Sequence, residues 1–433
     1  MRKTFAAFLL AVLAVAAAQA QSAIPAKSTV DANTSLKFVI VYTRHGVRSP
    51  TGKMDTLNRY SRQPWPEWSV APGYLTAHGA QLMTIFGKYD RELLASQGLL
   101  TQDGCADAAH IRIVADSDQR TRETGKALAE GIAPGCGVEV AALPEGTPDP
   151  LFHPLSAGVG APDKALVAAA IAGRIGGNPQ GVTEAYRAQL NALEDVLHGG
   201  ESKDGATPQS LFSIPAAITQ GKGDHGVEFS SPLSVASSMT EDLLLEYTEG
   251  MSKENVGWGR VDLAKLRELL QLHVASEDIA QRTPYIARTQ ASNALDHMLR
   301  SMRQVVTGKP MAGALSRLDD RLLILVGHDN NQANLAGSLG INWLFDGRRD
   351  DTPPGGALVF ELWKSSRSGA YSVRSYYTAE TLEQMRNSTP LSLNAPPERV
   401  QVFLPGCGLA DGACSWSGFE RAFKDAIDPA FVK

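Results

Sequence analysis

Three short apolar segments of the chain each run into a cluster of charged residues. They are residues 38–43 (FVIVYT), 111–115 (IRIVA) and 322–326 (LLILV). The first is followed by Arg44-His45, the second by Asp116, and the last, after one glycine, by His328-Asp329. Such apolar runs are typical of buried strands in a parallel sheet. Because α/β proteins bind ligands at the carboxyl edge of the sheet, we expect these clusters to lie together there.

Helical periodicity separates the predicted strands. Leu82, Phe86, Tyr89 and Leu93 follow a spacing of four, three and four residues, which is one apolar face of a helix. The alternation of strand and helix predicts an α/β sandwich domain with a mainly parallel central sheet.

The middle of the chain differs from its flanks. Residues 151–272 contain helical patterns and Gly-rich loops but few strand patterns, and we interpret them as a mainly helical cap domain inserted into the fold. The α/β domain then comprises residues 36–150 and 273–433.

Capping patterns place two helix starts. Ser238 and Glu241 have the spacing of a capping box ahead of an apolar run. Asn331 is expected to be the N-cap of a helix that ends near Gly340.

The first twenty residues have the pattern of a signal peptide. Arg2 and Lys3 precede the apolar run 5–18, and a small-x-small cleavage site ends at Ala20. We therefore predict removal of residues 1–20 and a periplasmic or secreted protein, with an N-terminal membrane anchor as the alternative. No later run reaches the roughly 18 apolar residues of a transmembrane helix, so we expect no membrane association after cleavage.

The four cysteines fit an exported protein with disulfides. Cys105, Cys136, Cys407 and Cys414 allow three pairings, and their spacing favours Cys105–Cys136 and Cys407–Cys414. A zinc site is the competing interpretation, but the sequence has no C-x-x-C spacing.

Charge and motifs exclude several function classes. The chain has 41 basic and 46 acidic residues, a formal net charge of −5 at pH 7, which argues against binding nucleic acid through bulk charge. No H-E-x-x-H pattern occurs among the nine histidines, so we expect no metal and no cofactor.

The densest chemical motif is RHGVRSP at residues 44–50. Arg44 and Arg48 could hold one phosphoryl group from two sides, because guanidinium groups match phosphate oxygens. Neighbouring cations disfavour the protonated form of His45, which keeps the imidazole nucleophilic. The alternative is a turn with solvated arginines and a structural histidine.

Two further segments could complete an anion site. Asp329 could protonate a leaving alcohol, although a plain helix-capping role fits it equally well. Arg120 and Arg122 follow the second strand, and we expect one of them to reach the site while the other pairs with Asp116 or Asp118.

With these motifs, the chain resembles the histidine acid phosphatase branch of the histidine phosphatase superfamily, and within it the bacterial periplasmic phytases and glucose-1-phosphatase. The resemblance implies that His45 is a nucleophile that forms a phosphohistidine and that Asp329 protonates the leaving group. The implied phosphate-binding residues are Arg44, Arg48, Arg120 and His328. Thr51, Glu241 and His273 correspond to positions near the substrate. The two cysteine pairs match disulfides of that group.

Residues near the expected substrate position differ between phytases and glucose-1-phosphatase, and they help to decide which of the two this chain resembles more. Phytases of this group usually have Lys directly after the Thr, whereas here Gly52 is followed by Lys53, and Ser238 replaces a usual Met. Gly46 favours a phytase, since glucose-1-phosphatase typically carries Asn there. We therefore expect a monomeric phosphate-ester hydrolase acting on phytate. The alternatives are a glucose-1-phosphatase, a broad acid phosphatase, or a non-catalytic phosphate-ester binding protein.

Overall fold

The computed structural model describes residues 33–201, 207–221, 223–409 and 411–433. The predicted signal peptide lies outside these residues. The strands are β1 (Thr34–Arg44), β2 (Ile111–Ala115), β3 (Val140–Ala141), β4 (Ala217–Gln220), β5 (Val227–Ser230), β6 (Leu322–Gly327), β7 (Leu344–Phe345), β8 (Arg348–Arg349), β9 (Ala357–Ser365), β10 (Tyr371–Ala379), β11 (Glu398–Gln401) and β12 (Cys414–Ser415). The helices are α1 (Met54–Leu57), α2 (Ala77–Ser96), α3 (Gln119–Ile132), α4 (Lys164–Arg174), α5 (Pro179–Ala185), α6 (Arg187–His198), α7 (Pro232–Thr248), α8 (Leu263–Ala280), α9 (Pro284–Thr307), α10 (Asp329–Leu339), α11 (Leu382–Arg386) and α12 (Trp416–Ala426).

One large sheet organises the molecule. Its strand order is β11-β10-β9-β1-β6-β2-β3, with β12 beside β10. The neighbours β1, β6, β2 and β3 run parallel, while β9, β10 and β11 extend the sheet antiparallel. The three apolar runs seen in the sequence are thus adjacent strands, and they end at the same edge.

Helices cover both faces of this sheet. In β1, Phe38, Ile40 and Tyr42 pack in a core with α9, α10 and α12, whereas Val39 and Val41 pack in a core with α2 and α3. This alternation follows from the two-residue period of a strand, and it makes a helix–sheet–helix sandwich. The predicted α/β fold is confirmed.

A further hydrophobic core lies in the region between β3 and α9. Buried residues of α6, α7 and α8, many of them leucines, form most of it, and the small β4–β5 hairpin packs at its side. The helix α8 continues across residue 272, where the sequence analysis places the end of the cap domain.

The predicted capping box at Ser238 is wrong. Ser231 caps α7 instead, since its side chain accepts a hydrogen bond from the Ser234 backbone N–H, and Pro232 occupies the first helical position. Ser238 and Glu241 therefore lie inside the helix. A proline at the first turn needs no intrahelical donor, which makes it the stronger start signal here.

The start of α10 also differs from the prediction. His328 is its N-cap, and Asn331 lies three positions further on, where its side-chain oxygen accepts from the His328 backbone N–H at 3.0 Å. The helix ends at Gly340 in the left-handed conformation, as predicted.

Two disulfides join Cys105 to Cys136 and Cys407 to Cys414, as the spacing indicates. None of the helices in the described ranges is both long and apolar enough to cross a bilayer.

Candidate active site

Strand register brings the charged clusters together. Arg44 at the end of β1 lies opposite Gly327 at the end of β6, and the His45 backbone N–H donates to the Gly327 carbonyl at 2.9 Å. On the other side of β6, the Asp116 N–H donates to the Val326 carbonyl at 3.0 Å. The segments after β1, β2 and β6 therefore meet at one point of the carboxyl edge.

The orientation of His45 leaves one ring nitrogen for chemistry. Its Nδ1 lies 2.8 Å from the Gly46 carbonyl oxygen, which can only accept, so Nδ1 carries the proton. The Nε2 lone pair of this buried ring is then available to an electrophile. Burial lowers the pKa of His45 well below its usual value, and the guanidinium groups of Arg44, Arg120 and Arg48 lower it further.

Gly46 is required by close packing. A Cβ at this position would lie 2.9 Å from Met83 Cγ and 3.0 Å from the Gly79 carbonyl oxygen. The Gly46 N–H also donates to Thr124 Oγ1 at 2.9 Å. Helices α2 and α3 thereby fix the turn that carries His45.

Two arginines share one carboxylate. The fully buried Arg44 side chain donates to the Thr352 carbonyl at 2.6 Å and pairs with Glu241, whose Oε1 also lies 2.9 Å from Arg48 Nη2. Glu241 comes from α7. Its carboxylate therefore bridges the two guanidinium groups as one phosphate oxygen could.

Asp329 lies at the first position of α10 and faces the same cluster. Its Oδ2 is 3.0 Å from Arg44 Nη2. Burial opposes ionisation, but the charges of Arg44 and His273 hold the pKa of Asp329 well below its usual range. Without substrate, Asp329 is thus a carboxylate.

Arg120 is the arginine of its segment that reaches the site. Its Nη2 lies 3.3 Å from His328 Nδ1 and 2.5 Å from Asp118 Oδ2. Arg122 points to Glu145, at 3.9 Å. The expected pairing of the second arginine with Asp116 or Asp118 is therefore wrong, because Arg120 itself takes Asp118.

Sequence reasoning missed a triad behind His328. Asp116 Oδ2 accepts from His328 Nε2 at 2.7 Å and lies 2.9 Å from His153 Nε2. Burial by itself would raise the pKa of Asp116, but hydrogen bonds from the two imidazoles hold that pKa below its usual range. His153 comes from the loop between β3 and α4, where no local pattern marks it.

Thr51 and His273 lie at the border of the cluster. A Cβ on Gly73 would be 3.1 Å from Thr51 Cγ2 and 3.6 Å from Arg120 Nη1, so this exposed threonine is close to Arg120. His273 is buried on α8, with Nδ1 3.0 Å from Ser237 Oγ. Burial lowers its pKa, but the carboxylates of Glu277, Glu241 and Asp329 raise it overall. Glu277, one helical turn further on, was not singled out in the sequence.

The chain is similar to known phosphatases over most of its length. A family model described as histidine phosphatase superfamily (branch 2) matches residues 35–378. The chain is 37% identical over 406 residues to phytase AppA of Escherichia coli, covering 91% of this chain and 93% of the relative. It is 29% identical over 409 residues to a glucose-1-phosphatase of Providencia rettgeri, covering 92% and 93%.

Two solved phytase structures share this fold. The Hafnia alvei phytase in complex with myo-inositol hexakis sulphate has a TM-score of 0.83 and 33% identity, over 93% of this chain and 99% of that one. The Citrobacter braakii phytase has a TM-score of 0.85 and 35% identity, over 92% and 99%.

Proposed function

The chain belongs to the histidine phosphatase superfamily (branch 2) and is a phosphoric monoester hydrolase, and from this premise we propose that it hydrolyses phytate through a phosphohistidine on His45. One observation carries the proposal: the Nε2 of His45 is free of its proton within the field of three guanidinium groups. Arg44, Arg48 and Arg120 supply positive charge for the phosphoryl group, while Nε2 supplies the electron pair.

The first step transfers the phosphoryl group to the protein. The His45 Nε2 lone pair forms a bond to phosphorus as the bond to the ester oxygen breaks. Asp329 gives its proton to that oxygen, so the alcohol leaves neutral. The arginines balance the charge on the three remaining phosphoryl oxygens, while His328 lies against Arg120.

Asp329 must first acquire its proton. In the arrangement described above it is an anion paired with Arg44. When the phosphate dianion binds Arg44 in place of Asp329, the carboxylate loses its cationic partner and gains a negative neighbour. Both changes raise the pKa of Asp329. Substrate binding thus turns this carboxylate into an acid.

The second step releases phosphate. Asp329, now ionised, takes a proton from a water molecule whose oxygen attacks phosphorus, and the bond to Nε2 breaks. Inorganic phosphate leaves and the Nε2 lone pair of His45 is free again. Asp329, protonated in this step, releases its proton to solvent when it pairs again with Arg44. No metal enters either step.

Phytate is the substrate that the similarities favour. The chain shares 37% identity with a phytase and 29% with a glucose-1-phosphatase, and a phytase with 33% identity and the same fold holds an inositol hexakis sulphate. The same site chemistry suits glucose 1-phosphate, so the glucose-1-phosphatase relative makes that ester the second candidate. Initial rates on both esters at one pH rank the two.

We place the enzyme in the periplasm or outside the cell, as a monomer. The signal-peptide pattern of residues 1–20 and the two disulfides support export. Sequencing the N-terminus of the protein recovered from its host tests cleavage after Ala20.

Rapid quenching in alkaline denaturant tests the mechanism, because a phosphohistidine is stable in base and hydrolyses in acid. Radiolabelled phosphate ester should leave acid-labile, base-stable label on the wild-type chain, and none on His45→Ala. His110→Ala removes a histidine directly before β2, at the end of the strand opposite the site; it is the matched control and should label normally. Near-normal turnover by folded His45→Ala contradicts the phosphohistidine mechanism. Binding of phosphate esters without any turnover in the wild type supports the non-catalytic alternative.

A further inference from the structure

Four side chains next to the active site form a group with the composition of a metal site: Asp116, Asp118, His153 and His328. One ligand atom from each lies within 4.8 Å of all the others. In the described part of the chain, no other set of three or more His, Cys, Asp or Glu residues meets this criterion. The four residues come from the end of β2, the loop after β3 and the end of β6, so no sequence motif announces them.

The spacing within the group fits a small tetrahedral ion. Asp116 Oδ2 lies 2.7 Å from His328 Nε2 and 2.9 Å from His153 Nε2, and His328 Nε2 lies 3.7 Å from Asp118 Oδ2. Ligands about 2.0–2.2 Å from zinc are roughly 3.3 Å apart in a tetrahedron. These three separations bracket that value, and every other pair lies within 4.8 Å, so side-chain shifts on the order of 1 Å close the group around the ion.

A second observation points to a ligand here. Asp116 is fully buried, and its other oxygen, Oδ1, has no hydrogen-bond partner. This carboxylate therefore has unused capacity to accept. The His153 side chain is about one-third exposed, which opens the group to solvent. Two carboxylates neutralise a divalent cation without further groups.

We propose that Asp116, Asp118, His153 and His328 bind a zinc-like divalent transition metal. Two imidazoles and two carboxylates suit zinc, whereas magnesium and calcium prefer oxygen ligands alone. The metal takes the Nε2 lone pair of each imidazole, and the proton of the neutral ring moves to Nδ1. At His328 that nitrogen lies 3.3 Å from Arg120 Nη2, so two donors would then face each other.

The ion therefore displaces Arg120 from the site. It takes Asp118, the ion-pair partner of Arg120, and it ends the contact between Arg120 and His328. Loss of a phosphate-binding arginine makes the metal an inhibitor of turnover. This consequence rests on the proposed phosphatase function, whereas binding of the metal does not.

Equilibrium dialysis of the whole protein with zinc at pH 7, after removal of bound metal, tests the binding. The wild type should bind one tight zinc per chain, and His153→Ala and Asp118→Asn should each weaken it at least about tenfold. His110→Ala, outside the group, should bind like the wild type. The proposal is overturned if the wild type binds no zinc tightly, or if both folded ligand variants bind zinc with the affinity of the wild type. Thermal melts confirm folding, and His153→Gln replaces the alanine variant if that one does not fold.

Activity assays separate the claim that the metal binds from the claim that it inhibits turnover. The substrate is p-nitrophenyl phosphate, because phytate itself chelates zinc. Zinc should slow the wild type and have a much smaller effect on His153→Ala. Tight binding with an unchanged rate supports the metal site and overturns the inhibition. Zinc binding by a wild type that hydrolyses no ester supports the metal site and contradicts the proposed function.

Discussion

At the scale of single residues, the chemistry of Asp329 depends on its partners. Asp329→Asn keeps the shape but cannot supply a proton. Hydrolysis of phytate should fall by about 10²–10⁴, the usual contribution of a general acid. An activated ester such as p-nitrophenyl phosphate needs little protonation and should lose far less. Single-turnover rates on both esters measure the difference.

Equal losses on the two esters would make Asp329 a structural residue. The matched control is Asp319→Asn, an exposed carboxylate next to β6, which should leave both rates unchanged.

Lys53 is the nearest candidate cation for the non-reacting phosphates of phytate. It is exposed and lies two residues after Thr51, which borders Arg120. Lys53→Ala should raise the KM for phytate about fivefold and change the KM for a small monophosphate much less. Lys309→Ala, an exposed lysine just after α9, is the control.

Steady-state kinetics with both substrates at constant ionic strength give this comparison. An unchanged KM for phytate would make Lys53 a solvated loop residue and would favour a small-ester phosphatase.

At the scale of elements, helix α7 holds a carboxylate at the position where the phosphate group of the substrate is expected to bind. Glu241 bridges Arg44 and Arg48, so an incoming phosphate must compete with it. In Glu241→Gln the competitor loses its charge, and inorganic phosphate should inhibit at several-fold lower concentration. Measured Ki values for phosphate give the answer.

Glu184→Gln, which removes a surface carboxylate on α5, should leave the Ki unchanged. A Ki for Glu241→Gln equal to that of the wild type would show that substrate does not displace the carboxylate.

Elements were predictable where one local signal dominates. The strands before Arg44, Asp116 and His328 were marked by continuous apolar runs, and Gly340 marked the end of α10. The start of α7 was missed because Ser238 fits a capping box but lies inside a helix that Ser231 already caps.

Long-range contacts were not predictable in the same way. His153 meets Asp116 and His328 only because the sheet register brings distant segments together. The role of Glu241 on the arginines likewise depends on how α7 packs, which a single sequence does not encode in a motif.

At the scale of the whole molecule, the site lies between the carboxyl edge of the sheet and the helices α7 and α8. The sheet edge provides His45, the arginines and Asp329, while α7 and α8 provide Glu241 and His273. The alternation of strands and helices correctly predicted the sheet and its flanking helices, while the separate helical cap domain over residues 151–272 stays a prediction. The exact limits of the two domains stay a prediction.

Buried carboxyls link the stability of the molecule to pH. Burial raises the pKa of Glu380 to about 8, and burial also raises those of Asp242 and Glu246 well above their usual values. The folded chain therefore keeps protons that the unfolded chain releases near pH 4. Their contribution to stability is complete below that pH and is lost progressively as pH rises toward 8.

Glu380→Gln isolates one of these groups. It should unfold like the wild type at pH 4 and be more stable at pH 8, by about 4 kcal/mol, since the unfolded and folded pKa values of 4.5 and about 8 lie roughly 3.5 units apart and each unit is worth about 1.4 kcal/mol. Urea unfolding at both pH values measures the free energies. Glu383→Gln, an exposed carboxylate on α11, should follow the wild type at both. If Glu380→Gln gains nothing at pH 8, Glu380 is ionised in the folded protein and its carboxylate has a partner or solvent that compensates its charge.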